Sequence, residues 1–96
     1  MRRVYIVSYD ISESRRWRKV YKAIRGFGKR IQYSVFRCEL LPEDKVRLVA
    51  KLDEILHHEQ DKLLVVDLGT IDGRGKDCIE SYGLTLEVVD RIPIVV

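Results

Sequence analysis

The sequence predicts an α+β sandwich in which two helices lie on one antiparallel sheet. Three observations predict it. Several runs are rich in β-branched and aromatic residues. Two other stretches carry apolar residues at helical spacing behind helix-opening residues. In chain order, each of those helices falls between strands. The 96 residues are the length of one domain, 1–96, with no linker, internal repeat or low-complexity stretch.

Residues 3–9 are nearly all apolar and read as a central strand buried on both faces. Ser12 suits an N-cap, and Glu13 suits the first turn of a helix. Trp17, Val20, Tyr21, Ile24 and Phe27 form its apolar face, and Gly26 and Gly28 stop it. The segment RIQYSVFRCEL at 30–40 reads as two short strands broken near Tyr33 and Ser34. Pro42, Glu43 and Asp44 open a second helix, with Val46, Val49, Leu52, Ile55 and Leu56 as its buried stripe. Residues 62–68 form another strong strand.

Asp72 to Asp77 is a polar, glycine-rich loop, and residues 84–89 alternate as a half-exposed strand. The apolar tail 92–96 contains Pro93, which confines it to a sheet edge. The order β-α-β(β)-α-β-β is that of a ferredoxin-like sandwich with an extra C-terminal edge strand.

Nearly half the residues, 46%, are apolar, which excludes a disordered basic tail. The formal charge of +3 hides a polarised chain. Residues 1–38 hold eleven Lys or Arg against two acids, a balance of +9. Residues 39–96 hold seven against thirteen, a balance of −6. A basic half is the footprint of a polyanion partner. No apolar run reaches membrane-span length, and the N-terminus leads straight into a strand without a leader. Cys38 and Cys78 lack metal-ligand spacing and read as buried, reduced thiols of a cytoplasmic protein.

Asp10 ends the first strand immediately before the most basic helix. A carboxylate beside cations suits a divalent metal flanked by phosphate binders. It equally suits an acid favoured by the dipole of the next helix. Arg15, Arg16, Arg18, Lys19, Lys22 and Arg25 have no acids at i,i+4, which favours nucleic-acid binding over a merely solvated face. Tyr9, Tyr33 and Phe36 are of a type that stacks on bases, although core packing is the commoner use, favoured for Phe36. His57, His58 and Glu59 lack zinc-ligand spacing and fit a helix end followed by a loop. Gly73-Arg74-Gly75-Lys76 is too short to cradle a phosphate and fits a surface turn.

YDIS at 9–12, the arginine-rich helix start, the Gly28 turn and RIQYSVF at 30–36 resemble the small nuclease-type protein family of CRISPR spacer acquisition. The resemblance runs through most of residues 1–68. It implies a ferredoxin-like fold, a homodimer and a larger CRISPR integrase partner. It implies Asp10 as metal ligand, and Tyr9, Arg30 and Phe36 near the active site. Residue 17 is commonly Arg in that family and is Trp here, so Arg16 or Arg18 takes the place of the catalytic cation. One magnesium ion shared by two Asp10 carboxylates at the dimer two-fold axis would complete a site that one carboxylate leaves short of ligands. The activity implied is magnesium-dependent endonuclease cleavage of RNA or DNA. The alternatives are a non-catalytic scaffold that bridges integrase dimers along duplex DNA, and a toxin-type ribonuclease of similar fold.

Overall fold

The computed structural model describes residues 1–83. Its elements run β1 (Arg3–Asp10), α1 (Ser14–Arg25), β2 (Gly28–Gln32), β3 (Val35–Leu40), α2 (Pro42–Ile55) and β4 (Lys62–Thr70), followed by a 3-10 turn over Arg74–Lys76. The four strands form one antiparallel sheet in the order β2-β3-β1-β4. Both helices cover one face, the α+β ferredoxin-like arrangement. The expected strand at 84–89 and edge strand at 92–96 lie outside the described residues.

Strand alternation sets the two faces of the sheet. Tyr5, Val7 and Tyr9 of β1 point toward the helices, together with Phe36, Cys38 and Leu40 of β3. They meet Val20 and Ile24 of α1 and Leu48 and Leu52 of α2 in the core. Phe36 is wholly buried, and such burial contributes about 2–3 kcal/mol. The opposite face carries Ile6, Ser8 and Asp10 of β1 across from Val66, Leu64 and Lys62 of β4. Neither α1 nor α2 covers this face; the 3-10 turn packs on it at Val4, while Ile6, Ser8 and Asp10 of β1 stay partly or fully exposed. Leu64 and Val66 are 52% and 48% exposed there.

Several expectations need correction. The N-cap of α1 is Glu13, not Ser12. The Glu13 carboxylate accepts from the Arg15 and Arg16 backbone N–H groups at 3.0 Å each. Ser12 is drawn away because its N–H and hydroxyl both donate to Asp61. In α2 the buried stripe runs through Leu48 and Leu52, with Val49, Ile55 and Leu56 half-buried and Val46 63% exposed. Residues 48, 52 and 55 share one helical face, and Val46 lies off it. Pro42 does open α2, at its first position.

Gly28 is required by close approach: a Cβ there would lie 2.5 Å from both the Arg37 carbonyl oxygen and Cys38 Sγ. The glycine-rich loop is not a free surface turn throughout. Gly75 is buried against β1, where an added Cβ would meet Val4 Cγ2 at 2.7 Å. Cys38 is buried and free, and desolvation pushes its thiol up to about 11. Cys78 is also free but exposed, against expectation. No helix among the described residues is long and apolar enough to cross a membrane.

Candidate nuclease site and nucleic-acid face

The pleat of β1 divides the candidate site residues between two surfaces. Asp10 is exposed at the end of the strand on the uncovered face. Tyr9, one residue earlier, points under α1 and is only 3% exposed. Arg30 of β2 pairs with Phe36 of β3 on that same helix-covered face. Tyr9, Arg30 and Phe36 thus lie together under the helices, and Asp10 lies on the other face of the sheet. Phe36 is sealed at 0% exposure and its ring packs on Tyr9 and Tyr21, which puts it out of reach of a phosphate.

Tyr9 and Arg30 are buried polar groups of a different kind. The Tyr9 hydroxyl and one terminal nitrogen of Arg30, Nη1, have no hydrogen-bond partner among the described residues. Burial raises the Tyr9 pKa strongly, and the nearby Arg30 charge opposes that rise. Among the described residues Arg30 has no carboxylate against it. Its guanidinium lies 5.5 Å from the Tyr21 ring centre, a cation–π contact.

Arg16 also departs from expectation. Its Nε donates to Asp61 at 2.7 Å, and its Nη2 donates to Gln60 at 3.2 Å. Asp61 also accepts from the backbone N–H groups of Ser12 at 3.1 Å and His57 at 2.9 Å. Its side chain is fully enclosed, and these donors, Arg16 foremost, hold its carboxyl well below the usual carboxylate range. Arg16 is thus committed to holding the loop after Asp10 against the end of α2. Of the two expected cations, Arg18 is the one left exposed and without an acid partner among the described residues.

Arg15, Arg18, Lys19, Lys22 and Arg25 are all exposed on α1, and no acid of the described residues pairs with any of them. Glu13 caps the helix and offsets charge only at its N-terminal end, near Arg15 and Arg16. The face therefore presents an excess of positive charge suited to a phosphate backbone.

Asp10 accepts no hydrogen bond from the described side chains or caps, so its oxygens are available to a cation. No three candidate ligands cluster around any point among the described residues. One carboxylate fits magnesium only as a member of a larger donor set, because that ion takes six oxygens and keeps several waters. Asp10 and its described neighbours do not cage such an ion within one protomer.

Asp61 was not singled out by sequence. Its signal was an acid directly before a strong strand, in a chain whose first helix had no acids of its own. By sequence Trp17 reads as part of the apolar face of α1 and as a departure from the family pattern, not as the centre of an aromatic cluster. In the structure it packs edge-on to Tyr9, stacks on Tyr21 and contacts Tyr33, at 6.0, 5.4 and 5.2 Å between ring centres.

Comparison with known proteins agrees with this arrangement. The family model described as CRISPR associated protein Cas2 matches residues 1–72. The chain is 39% identical to the CRISPR-associated endoribonuclease Cas2 of Geobacter sulfurreducens, over 100% of both chains. It is 41% identical to the protein of the same name from Thermus thermophilus over 68% of this chain and 70% of that one. Among solved structures, Streptococcus pyogenes Cas2 superposes with a TM-score of 0.70 at 25% identity, covering 83% of this chain and 99% of the other. A hypothetical protein from Thermus thermophilus, TT1823, superposes with a TM-score of 0.73 at 28% identity, over 88% and 94% of the two chains. The match in sequence and the match in fold agree, and the chain belongs to the Cas2 family of CRISPR-associated proteins.

Proposed function

We propose that this protein is a magnesium-dependent endonuclease of CRISPR adaptation that acts as a homodimer. The observation that carries the reading is the position of Asp10. It is exposed at the end of β1, on the sheet face the helices leave uncovered, beside the apolar surface of Leu64 and Val66. Two such faces packed together would bury those side chains and bring two Asp10 carboxylates toward one axis. An ion held between them would supply charge neutralisation and an activated water for attack on a phosphodiester. The exposed cations of α1, Arg18 foremost, would hold the flanking phosphates. Reduced, unpaired cysteines suit work in the cytoplasm.

The test is a cleavage panel of single- and double-stranded RNA and DNA, each with magnesium and with a chelator. The expected result is cleavage of at least one substrate that requires the metal. No cleavage of any substrate would overturn the nuclease reading.

A second reading is supported by the unpaired basic face of α1. A surface of that sign and density binds duplex backbone without cutting it. In this reading the dimer is a scaffold that bridges CRISPR integrase subunits along duplex DNA. Spacer acquisition by Asp10→Asn separates the two, since a scaffold keeps working without its carboxylate.

A further inference from the structure

We propose that the cleft between Tyr33, Trp17 and Arg18 is a stacking site for one unpaired nucleobase, with the adjoining phosphate on Arg18. The inference rests on the nucleic-acid reading of α1 and adds which form of nucleic acid this chain selects. The cleft has a volume of about 350 Å³ and is lined by Ile11, Ser12, Ser14, Trp17, Arg18 and Tyr33. That is at the small end of ligand sites and large enough for a flat heterocycle.

Three features point to a base. The first is exposure. Tyr33 sits at the β2–β3 turn and is 56% exposed, although it is a large aromatic residue that the adjacent core could have taken in. The second is rigidity. Trp17 is fixed from below by Tyr21, 5.4 Å away and 8° from parallel, and by the edge contact with Tyr9. Tyr33 leans on Trp17 at 5.2 Å and 31°. Centroids that close leave no room between the two rings, so the ligand must lie on the outer surface of the pair. Because the rings are already held, stacking on them costs little ordering entropy.

The third feature is charge. Among the described residues no acid lines the cleft, and none lines the neighbouring groove of Arg15, Trp17, Arg18, Lys19, Tyr21 and Lys22. Glu13 caps α1, Asp61 holds Arg16 and Ser12, and Asp10 stands on the opposite face of β1. The charged side chain that lines the cleft beside the aromatic pair is Arg18. Aromatic rings interleaved with cations bind single strands, because every base has a π-face and a duplex keeps its bases stacked away. The cleft also borders Ile11 and Ser12, the two residues after Asp10, so a nucleotide seated here lies next to the candidate metal ligand in the chain.

Trp17 is the single tryptophan of the sequence, so its fluorescence reports on this site alone. The full-length protein is titrated, in chelator, with oligouridylate, oligothymidylate, an abasic strand of equal length and a blunt duplex. The expected result is quenching of Trp17 by both base-bearing strands, and binding of the abasic strand without quenching. Tyr33→Ala should weaken the base-bearing strands about tenfold and leave the abasic strand unchanged, and Tyr33→Phe should restore the affinity. Quenching by the RNA strand alone would also support the site and add recognition of the ribose hydroxyl. Equal binding of all strands with unmoved fluorescence would overturn the stacking site and leave the phosphate face standing. No binding of any strand would overturn both.

Discussion

Arg16 donates from Nε to Asp61 at 2.7 Å, and that bond decides which arginine at the start of α1 is left for a substrate. The same carboxylate holds Ser12 and His57, so one side chain joins the loop after Asp10 to the end of α2. Removing it as Asp61→Ala leaves Arg16 without its partner and two backbone donors without an acceptor. The expected cost is about 3 kcal/mol, read by denaturant unfolding.

The same carboxylate predicts a pH dependence. Its folded pKa is depressed, chiefly by the Arg16 hydrogen bond. The stability it contributes is present in full above the unfolded aspartate value of about 4 and is lost as pH falls below it toward the folded value. Unfolding measured across that acid range should show a shallower slope for Asp61→Asn than for the wild type. Identical slopes would show that the pair carries none of the acid sensitivity.

Gly28 and Gly26 make a matched test of close packing. Gly28→Ala places a methyl group 2.5 Å from backbone oxygen and from sulfur, and should cost about 2 kcal/mol, or about 10 °C in Tm. Gly26 has a helical φ of −77° and open space, with 3.7 Å to its nearest neighbour. Gly26→Ala should be neutral or slightly stabilising.

How much of this was readable beforehand varies with the range of the interaction. β1, the break at residues 33–34 and the Pro42 helix start depend on neighbours in sequence, and all were legible. The buried side of α2 was not, because Val46 and Leu48 are both apolar and only the position of the sheet selects between them. The N-cap was missed because Ser12 is claimed by Asp61, a partner 49 residues away. The facing of Tyr9 and Asp10 followed from the period of a strand, but motif proximity hid it. A run of adjacent residues suggests one site, and a pleat sends neighbours to opposite sides.

The uncovered sheet face predicts the mode of association. Leu64→Glu with Val66→Glu places charge on side chains that are half exposed in one protomer, so the fold should persist. Sedimentation should show a dimer for the wild type and a folded monomer for the double variant. A dimer that survives both changes would place the interface elsewhere.

Arg18 and Lys22 are the cations to remove in testing the α1 face, since replacing Arg16 would also break the bond to Asp61. Arg18→Ala with Lys22→Ala should weaken binding to all sequences alike. It should also lower the slope of log affinity against log salt by about 2 for a duplex. An unchanged slope would return this face to plain solvation.

If Asp10 holds a catalytic metal between two copies of the chain, a comparison of wild type with Asp10→Asn shows it most directly. Magnesium binding and cleavage are followed on the same dimeric preparations. Asparagine keeps the shape of the side chain and removes its charge. The account predicts that cleavage falls about a hundredfold or more and that the one-ion-per-dimer binding isotherm disappears, while the dimer and its nucleic-acid affinity remain. Undiminished metal-dependent cleavage by Asp10→Asn would contradict it.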